Sequence, residues 1–212
     1  MIRTNRGVLL SIVFFGMVLA IPFQEASAQR WLQTSQLFVN ELESNSPPRV
    51  LLDTLTQVLK RSDSLKVSRK PDGEEYEISE LRDQLINGPG IGLTSANGIF
   101  IDYRFEIRNR GFEESIESFR FIYRPTGGTG EDIEMLYVDA SETWVKNILR
   151  NKGTTLTTNQ AALKTFSDQL SFARMAKSGQ VVEIAGETVR EGFETEKRQL
   201  VQKIQRLTYE SM

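Results

Sequence analysis

Residues 98–108, GIFIDYRFEIR, alternate apolar and polar side chains: Ile99, Ile101, Tyr103, Phe105 and Ile107 against Asp102, Arg104, Glu106 and Arg108. A period of two is the spacing of a strand, whose successive side chains point to opposite faces. The alternation returns at Phe119, Phe121 and Tyr123, and again at Ile133, Met135 and Tyr137. Three successive strands over 98–138 read as an antiparallel meander. All these apolar positions are odd-numbered, so pairing that keeps parity gathers them on one sheet face.

Charge narrows the register. Pairing Phe105 with Phe119 sets Arg104 opposite Arg120, and facing like charges destabilise a strand pair. Pairing Tyr103 with Phe119 sets Asp102 opposite Arg120 and Phe100 opposite Ile122, and this is the register expected. It leaves the far face polar near Arg108 but apolar near Phe100, Ile122, Leu136 and Val138. Surplus apolar surface of that kind asks for a cover.

Outward from the meander, helices are expected on the C-terminal side. Asp139-Ala140-Ser141-Glu142 and Thr157-Thr158-Asn159-Gln160 both resemble capping boxes. The first opens a helix with Trp144, Val145, Ile148 and Leu149 that stops before Gly153. The second opens one with Leu163, Phe166, Leu170 and Ala173 that stops at Gly179, glycine being a common residue just past a helix end. Val181–Ala185 reads as a strand, and Glu194–Tyr209 as a charged helix with an apolar stripe of Leu200, Val201, Ile204 and Leu207.

On the N-terminal side, Trp31–Leu42 places Trp31, Phe38 and Leu42 on one rough helical face and is expected to be a helix. Ser46 is a good N-cap with Pro47 at the first helical position. Leu51, Leu52, Leu55, Val58 and Leu59 continue that helix to about Arg61. Ser64–Arg69 and Glu74–Ser79 flank Pro71-Asp72-Gly73, a turn sequence that predicts a short hairpin. A short helix over Leu81–Ile86 and a loop at Asn87–Gly92 complete the pattern. The expected class is α+β: an antiparallel meander of about three to five strands, helices packed on one face, and N-terminal and C-terminal helices.

The start of the chain points to export. Arg3 and Arg6 precede an uncharged apolar run, Gly7–Phe23, which is followed by Ala26-Ser27-Ala28. A positive start, an apolar core and an A-x-A site are the parts of a cleavable secretory signal. Seventeen residues are short for a bilayer span, and Pro22 ends the helix. Residues 1–28 are therefore expected to be removed, leaving 29–212 as a single domain with no membrane span and a periplasmic or extracellular destination.

Composition bounds the chemistry of that domain. Without residues 1–28 it has 184 residues, 24 Lys and Arg, and 27 Asp and Glu, a net charge of −3. That length buries close to 70% of the unfolded surface, so a core suffices without disulfides, and Cys is absent. The charge balance carries no nucleic-acid footprint. Histidine is absent too. Without His and Cys there is no Ser-His-Asp or Cys-His catalysis, and the nitrogen and sulfur ligands preferred by zinc, copper and haem are missing. No cofactor is expected.

The remaining motifs are weak. Gly88-Pro89-Gly90-Ile91-Gly92 precedes a strand, whereas a phosphate loop needs a helix N-terminus. Gly127-Gly128-Thr129-Gly130 reads as a hairpin connection. No serine has lysine three residues on, so S-x-x-K chemistry has no signature. Paired carboxylates are left, with Glu113, Glu114, Glu131 and Asp132 as candidates for a glycan-cleaving pair. The expected function is a non-enzymatic envelope protein holding a protein or peptide partner through Phe100, Ile122, Leu136 and Val138 on the far face, or through Leu200, Ile204 and Leu207. That C-terminal stripe would also serve a homodimer, but it spans only about two heptads, so packing on its own domain is the first expectation for it. A carboxylate-based hydrolase of cell-wall glycan is the alternative.

Overall fold

A computed structural model describes residues 31–40, 42–87, 90–108, 111–125, 130–155, 163–184, 187–188 and 194–210. The expected export segment 1–28, the cap at 157–160 and Gly127-Gly128-Thr129 lie outside them. In chain order the elements are β1 (Trp31–Asn40), α1 (Pro47–Arg61), β2 (Lys66–Val67), β3 (Tyr76–Glu77) and α2 (Ile78–Arg82). A π-helical turn (Asp83–Asn87) and a 3₁₀ turn (Leu93–Ser95) lead into β4 (Gly98–Arg108), β5 (Gly111–Tyr123) and β6 (Ile133–Asp139). Then come α3 (Thr143–Asn151), β7 (Gly153–Thr155), β8 (Leu163–Thr165), α4 (Phe166–Gln169) and α5 (Phe172–Met175). The last elements are β9 (Gln180–Ile184), β10 (Glu187–Thr188) and α6 (Glu194–Glu210).

The class is α+β. One antiparallel sheet has the order β10-β9-β1-β4-β5-β6, and the meander β4-β5-β6 is its better half. The other half holds the main correction. Trp31–Leu42 is not a helix: residues 31–40 form β1, paired along its whole length with β4 from Trp31↔Ile107 to Asn40↔Gly98. Strand β1 is central, with β9 on its other side. Leu37 and Val39 face the core, while Phe38 is buried from the opposite face. A strand partly covered on both sides loses the clean alternation that marks a half-buried one.

Helix α1 follows its signals: Ser46 caps it, Pro47 opens it, and Leu51, Leu52, Leu55 and Leu59 are buried. The hairpin pairs Lys66 with Glu77 and Val67 with Tyr76. Its turn holds Asp72 at φ 34°, left-handed backbone in which Asp is among the tolerated residues. Helix α3 carries Val145, Ile148 and Leu149 inward as expected. The helix expected from 157 to 179 is instead broken. Leu163–Thr165 pairs with Gly153–Thr155 as a strand. Thr165 then caps the single turn of α4, and Ser171 precedes the single turn of α5. Two cap-type residues six apart divide what the apolar spacing alone joins.

One core lies on one face of the sheet. Leu37, Ile99, Ile101, Tyr103, Phe105, Phe119 and Phe121 meet the helical Leu51, Leu55, Val145 and Phe172 there. Phe172 stands edge-on to both Tyr103 and Phe105, 5.2 Å between centroids in each case, worth about 0.5–1.5 kcal/mol per pair beyond burial. The buried Tyr103 hydroxyl donates to the Leu170 carbonyl at 2.7 Å, which joins the sheet to the end of α4.

The register differs from both alternatives weighed on the sequence. Phe119 pairs with Ile101, Arg120 with Phe100, and Asp102 with Ser118. Pairing then shifts: Tyr103 faces Ile116, so Glu117 is an extra residue in β5, a β-bulge. Beyond it Phe112, Glu114 and Ile116 stand opposite Ile107, Phe105 and Tyr103. Parity in β5 thereby reverses, and Glu114 lands on the core face. Strand β6 has a bulge as well, between Phe121↔Leu136 and Ile122↔Glu134.

Candidate binding face

The described helices bury their apolar residues on the core side, so the face of interest is the other one. The expectation of a Phe100, Ile122, Leu136 and Val138 patch there needs correcting. Val138 pairs with Phe119 and Leu136 with Phe121. That odd-sum register sets even residues of β6 beside odd residues of β5, and Leu136 and Val138 sit in the core. Tyr137 takes the open side, where its backbone N–H donates to the Ser68 carbonyl at 2.8 Å and ties the hairpin to the sheet edge. Leu200 and Ile204 are also core residues, at 5% and 1% exposure, and Leu207 is half-buried. The C-terminal stripe packs mainly on its own chain.

Phe100 and Ile122 do lie on the open face. They join Phe38, whose ring is 4.6 Å from that of Phe100. Gly98 lets these side chains close up, since a Cβ there would come within 3.0 Å of both Ile122 and Phe38. The island is roofed by charge. The Arg120 guanidinium lies over Phe100 at 4.3 Å from the centroid, and that of Arg124 over Phe38 at 4.6 Å. Such contacts contribute about 0.5–1 kcal/mol each when partly exposed. No sequence period signals them, because Arg124 and Phe38 lie far apart along the chain.

The two arginines are held differently. Arg124 makes a bidentate pair with Asp132, Nε to Oδ1 at 2.7 Å and Nη2 to Oδ2 at 2.6 Å. Its backbone is clasped by the Asn97 side chain through two 2.8 Å bonds. Hydrogen bonds from Arg124 hold the Asp132 carboxyl below its ordinary range. Among the described residues Arg120 hydrogen-bonds Glu134, at 3.4 Å, and its buried Nε has no hydrogen-bond partner.

Further along the face, Asp102 accepts from Gln36 Nε2 at 2.7 Å and from the Ser118 hydroxyl. Arg104 lies 3.4 Å from Glu117 and 3.8 Å from Glu106. The surface is a lattice of paired charges around a small aromatic island. Leu32, 48% exposed, is the largest apolar side chain left bare on it.

The hairpin arm adds a wall. Arg69 and Lys70 line a groove of about 520 Å³ together with Phe100, Arg120, Ile122, Asp132 and Glu134. A wider cleft of about 1120 Å³ lies elsewhere, between the end of β1, the start of α1, β7 and α5. Its buried polar side chain, Gln169, bonds to Thr154 from both ends of its amide.

The candidate acids are not gathered. Glu113 and Glu114 lie at the start of β5, and Glu131 and Asp132 precede β6. Roughly 30 Å of strand separates the two sets. Within the first, the pleat sends Glu113 and Glu114 to opposite faces. The carboxylate of Glu114 accepts from the Phe172 backbone N–H at 2.6 Å, and burial pushes its pKa up. Asp132, held low by Arg124, has the wrong shift for a general acid. Among the described residues no group of three or more acids could hold a metal ion, and no helix is long and apolar enough to cross a membrane. No known family model and no curated protein matches the chain.

Proposed function

We propose that this protein is exported into the cell envelope and there binds a protein or peptide partner, without catalysis, on the open face of its sheet. The single observation that carries the reading is the sheet face that no described helix covers, where a Phe38–Phe100–Ile122 island sits under two arginines beside the groove walled by the hairpin. Aromatic and arginine side chains are the residues enriched at recognition surfaces. Alternating charges around them give orientation more than raw affinity. The separation of the candidate acids favours this reading over a glycan hydrolase. Packing of Leu200 and Ile204 inward leaves the C-terminal helix a smaller part in contacts with a second copy.

Two measurements test it. Edman sequencing of the protein recovered by osmotic shock is expected to begin at Gln29, and retention of residues 1–28 in the cytoplasm overturns export. For binding, a random peptide library selected on the purified protein is expected to enrich ligands that lose at least tenfold in affinity on Leu32→Asp or Arg104→Glu, two open-face changes. Lys60→Glu, on the exposed side of α1, leaves them bound. A library that yields no ligand, or ligands sensitive to Lys60→Glu alone, overturns the reading.

A further inference from the structure

Resting on the open-face reading, we propose that the groove between the hairpin and the sheet is a carboxylate site, built to take an acidic side chain of an extended peptide. The cations lining it are Arg69, Lys70 and Arg120, and the acids are Asp132 and Glu134. That count understates the positive field. Asp132 is engaged at both oxygens by Arg124, so it neutralises a cation outside the lining. Glu134 meets Arg120 through one long contact of 3.4 Å. Arg69 donates to a neutral partner, the Gln84 side-chain oxygen, at 3.1 Å. Lys70 has no ion pair among the described residues.

Arg120 is the centre of the site. A guanidinium carries five donors and matches a carboxylate in a planar fork. Here it makes one long hydrogen bond and has a buried, unpartnered Nε. The Nε itself is out of a ligand's reach, but the side chain is 24% exposed, and an incoming carboxylate adds at the Nη groups the hydrogen bonds that the single contact with Glu134 leaves unmade. Stacking on Phe100 fixes the plane of the fork before anything binds. The apolar floor of Phe100 and Ile122 suits the methylene stem of a glutamate or an aliphatic neighbour. The acidic wall disfavours a dianion, so phosphate fits less well than a single carboxylate.

The test uses the full protein and three amidated nine-residue peptides, Gly-Ser-Val-X-Phe-X-Val-Ser-Gly, with X as Glu, Gln or Lys, and inorganic phosphate as competitor. The Glu peptide is expected to bind at least tenfold tighter than the Gln peptide, and the Lys peptide to be weaker still. Raising NaCl from 50 to 500 mM weakens the Glu peptide, as screening demands. Lys70→Glu and Arg69→Gln, both on the hairpin rim and outside the core, weaken it at least fivefold with the melting temperature unchanged. Arg120→Gln weakens it further. Equal binding of the Glu and Gln peptides, indifference to Lys70→Glu, or displacement by millimolar phosphate overturns the carboxylate site. Library peptides that need Leu32 and Arg104 but ignore Lys70→Glu sink the groove and leave the open-face reading standing. Absence of any peptide binding sinks both.

Discussion

Glu114 shows how one side chain's position sets its chemistry. Its neighbours in sequence mark it as a solvated turn acid, yet the bulge at Glu117 turns it inward, where burial raises its pKa against the opposing pull of the Phe172 N–H. A folded-state pKa above the unfolded one means that the protonated form is favoured by folding. The resulting stability is fully present below the unfolded pKa and is lost as pH rises through the folded one. Glu114→Gln keeps an acceptor for Phe172 and removes the charge. Its urea midpoint at pH 7 is therefore expected to equal or exceed that of the parent, and the advantage should shrink toward pH 4. An advantage that grows on acidification would contradict the assignment. Asp132 has the opposite sign: its lowered pKa gives stability present above the unfolded pKa and lost as pH falls through the folded one. Because the pair is partly exposed, Asp132→Asn should cost less than about 1 kcal/mol at pH 7, and nothing measurable near pH 2.

Elements were legible where local signals and burial agreed. Ser46-Pro47 opens α1, the glycine and proline of the turn at 71–73 close the hairpin, and the stripe of α6 packs inward. For α6 the packing is testable: Ile204→Ala is expected to cost about 2–4 kcal/mol, as a buried large-to-small change does. Leu207→Ala should cost under half as much, and melting should be independent of protein concentration. A concentration-dependent melt would return the stripe to a dimer interface. Strand β1 and the 163–175 segment were not legible. Strand β1 exists because β4 and β9 flank it, and no window of ten residues contains those partners. The break at Ser171 is a competition between two single turns, the first capped by Thr165, and one helix, settled by the strand pair β7–β8 that takes up Leu163–Thr165.

At the scale of the molecule, the described helices cover one face of a sheet whose two central strands are β1 and β4. Hydrogen exchange should follow that layout. Amides of β4 and the second half of β5, between paired neighbours and over the core, are expected to exchange slowest, and those of β9 and β10 at the thin edge first. Fast exchange in β4 would mean that the sheet is not the stable unit. The open face is where the sequence reading changed most. Two expected patch residues, Leu136 and Val138, moved to the core; of the two that stayed, Phe100 lies under Arg120, and Arg124 covers Phe38, which joins them.

By itself the sequence determined the class, the starts of α1 and α6, the strand identity of 98–138 and the exclusion of imidazole and thiol chemistry, because each depends on residue type or spacing within a few turns of chain. Tertiary structure alone decided the register, and with it which face each side chain of β5 and β6 occupies. One extra residue in a strand reverses every side chain beyond it. Whether a strand admits that residue depends on what the two faces must bury, a balance struck between segments up to 150 positions apart.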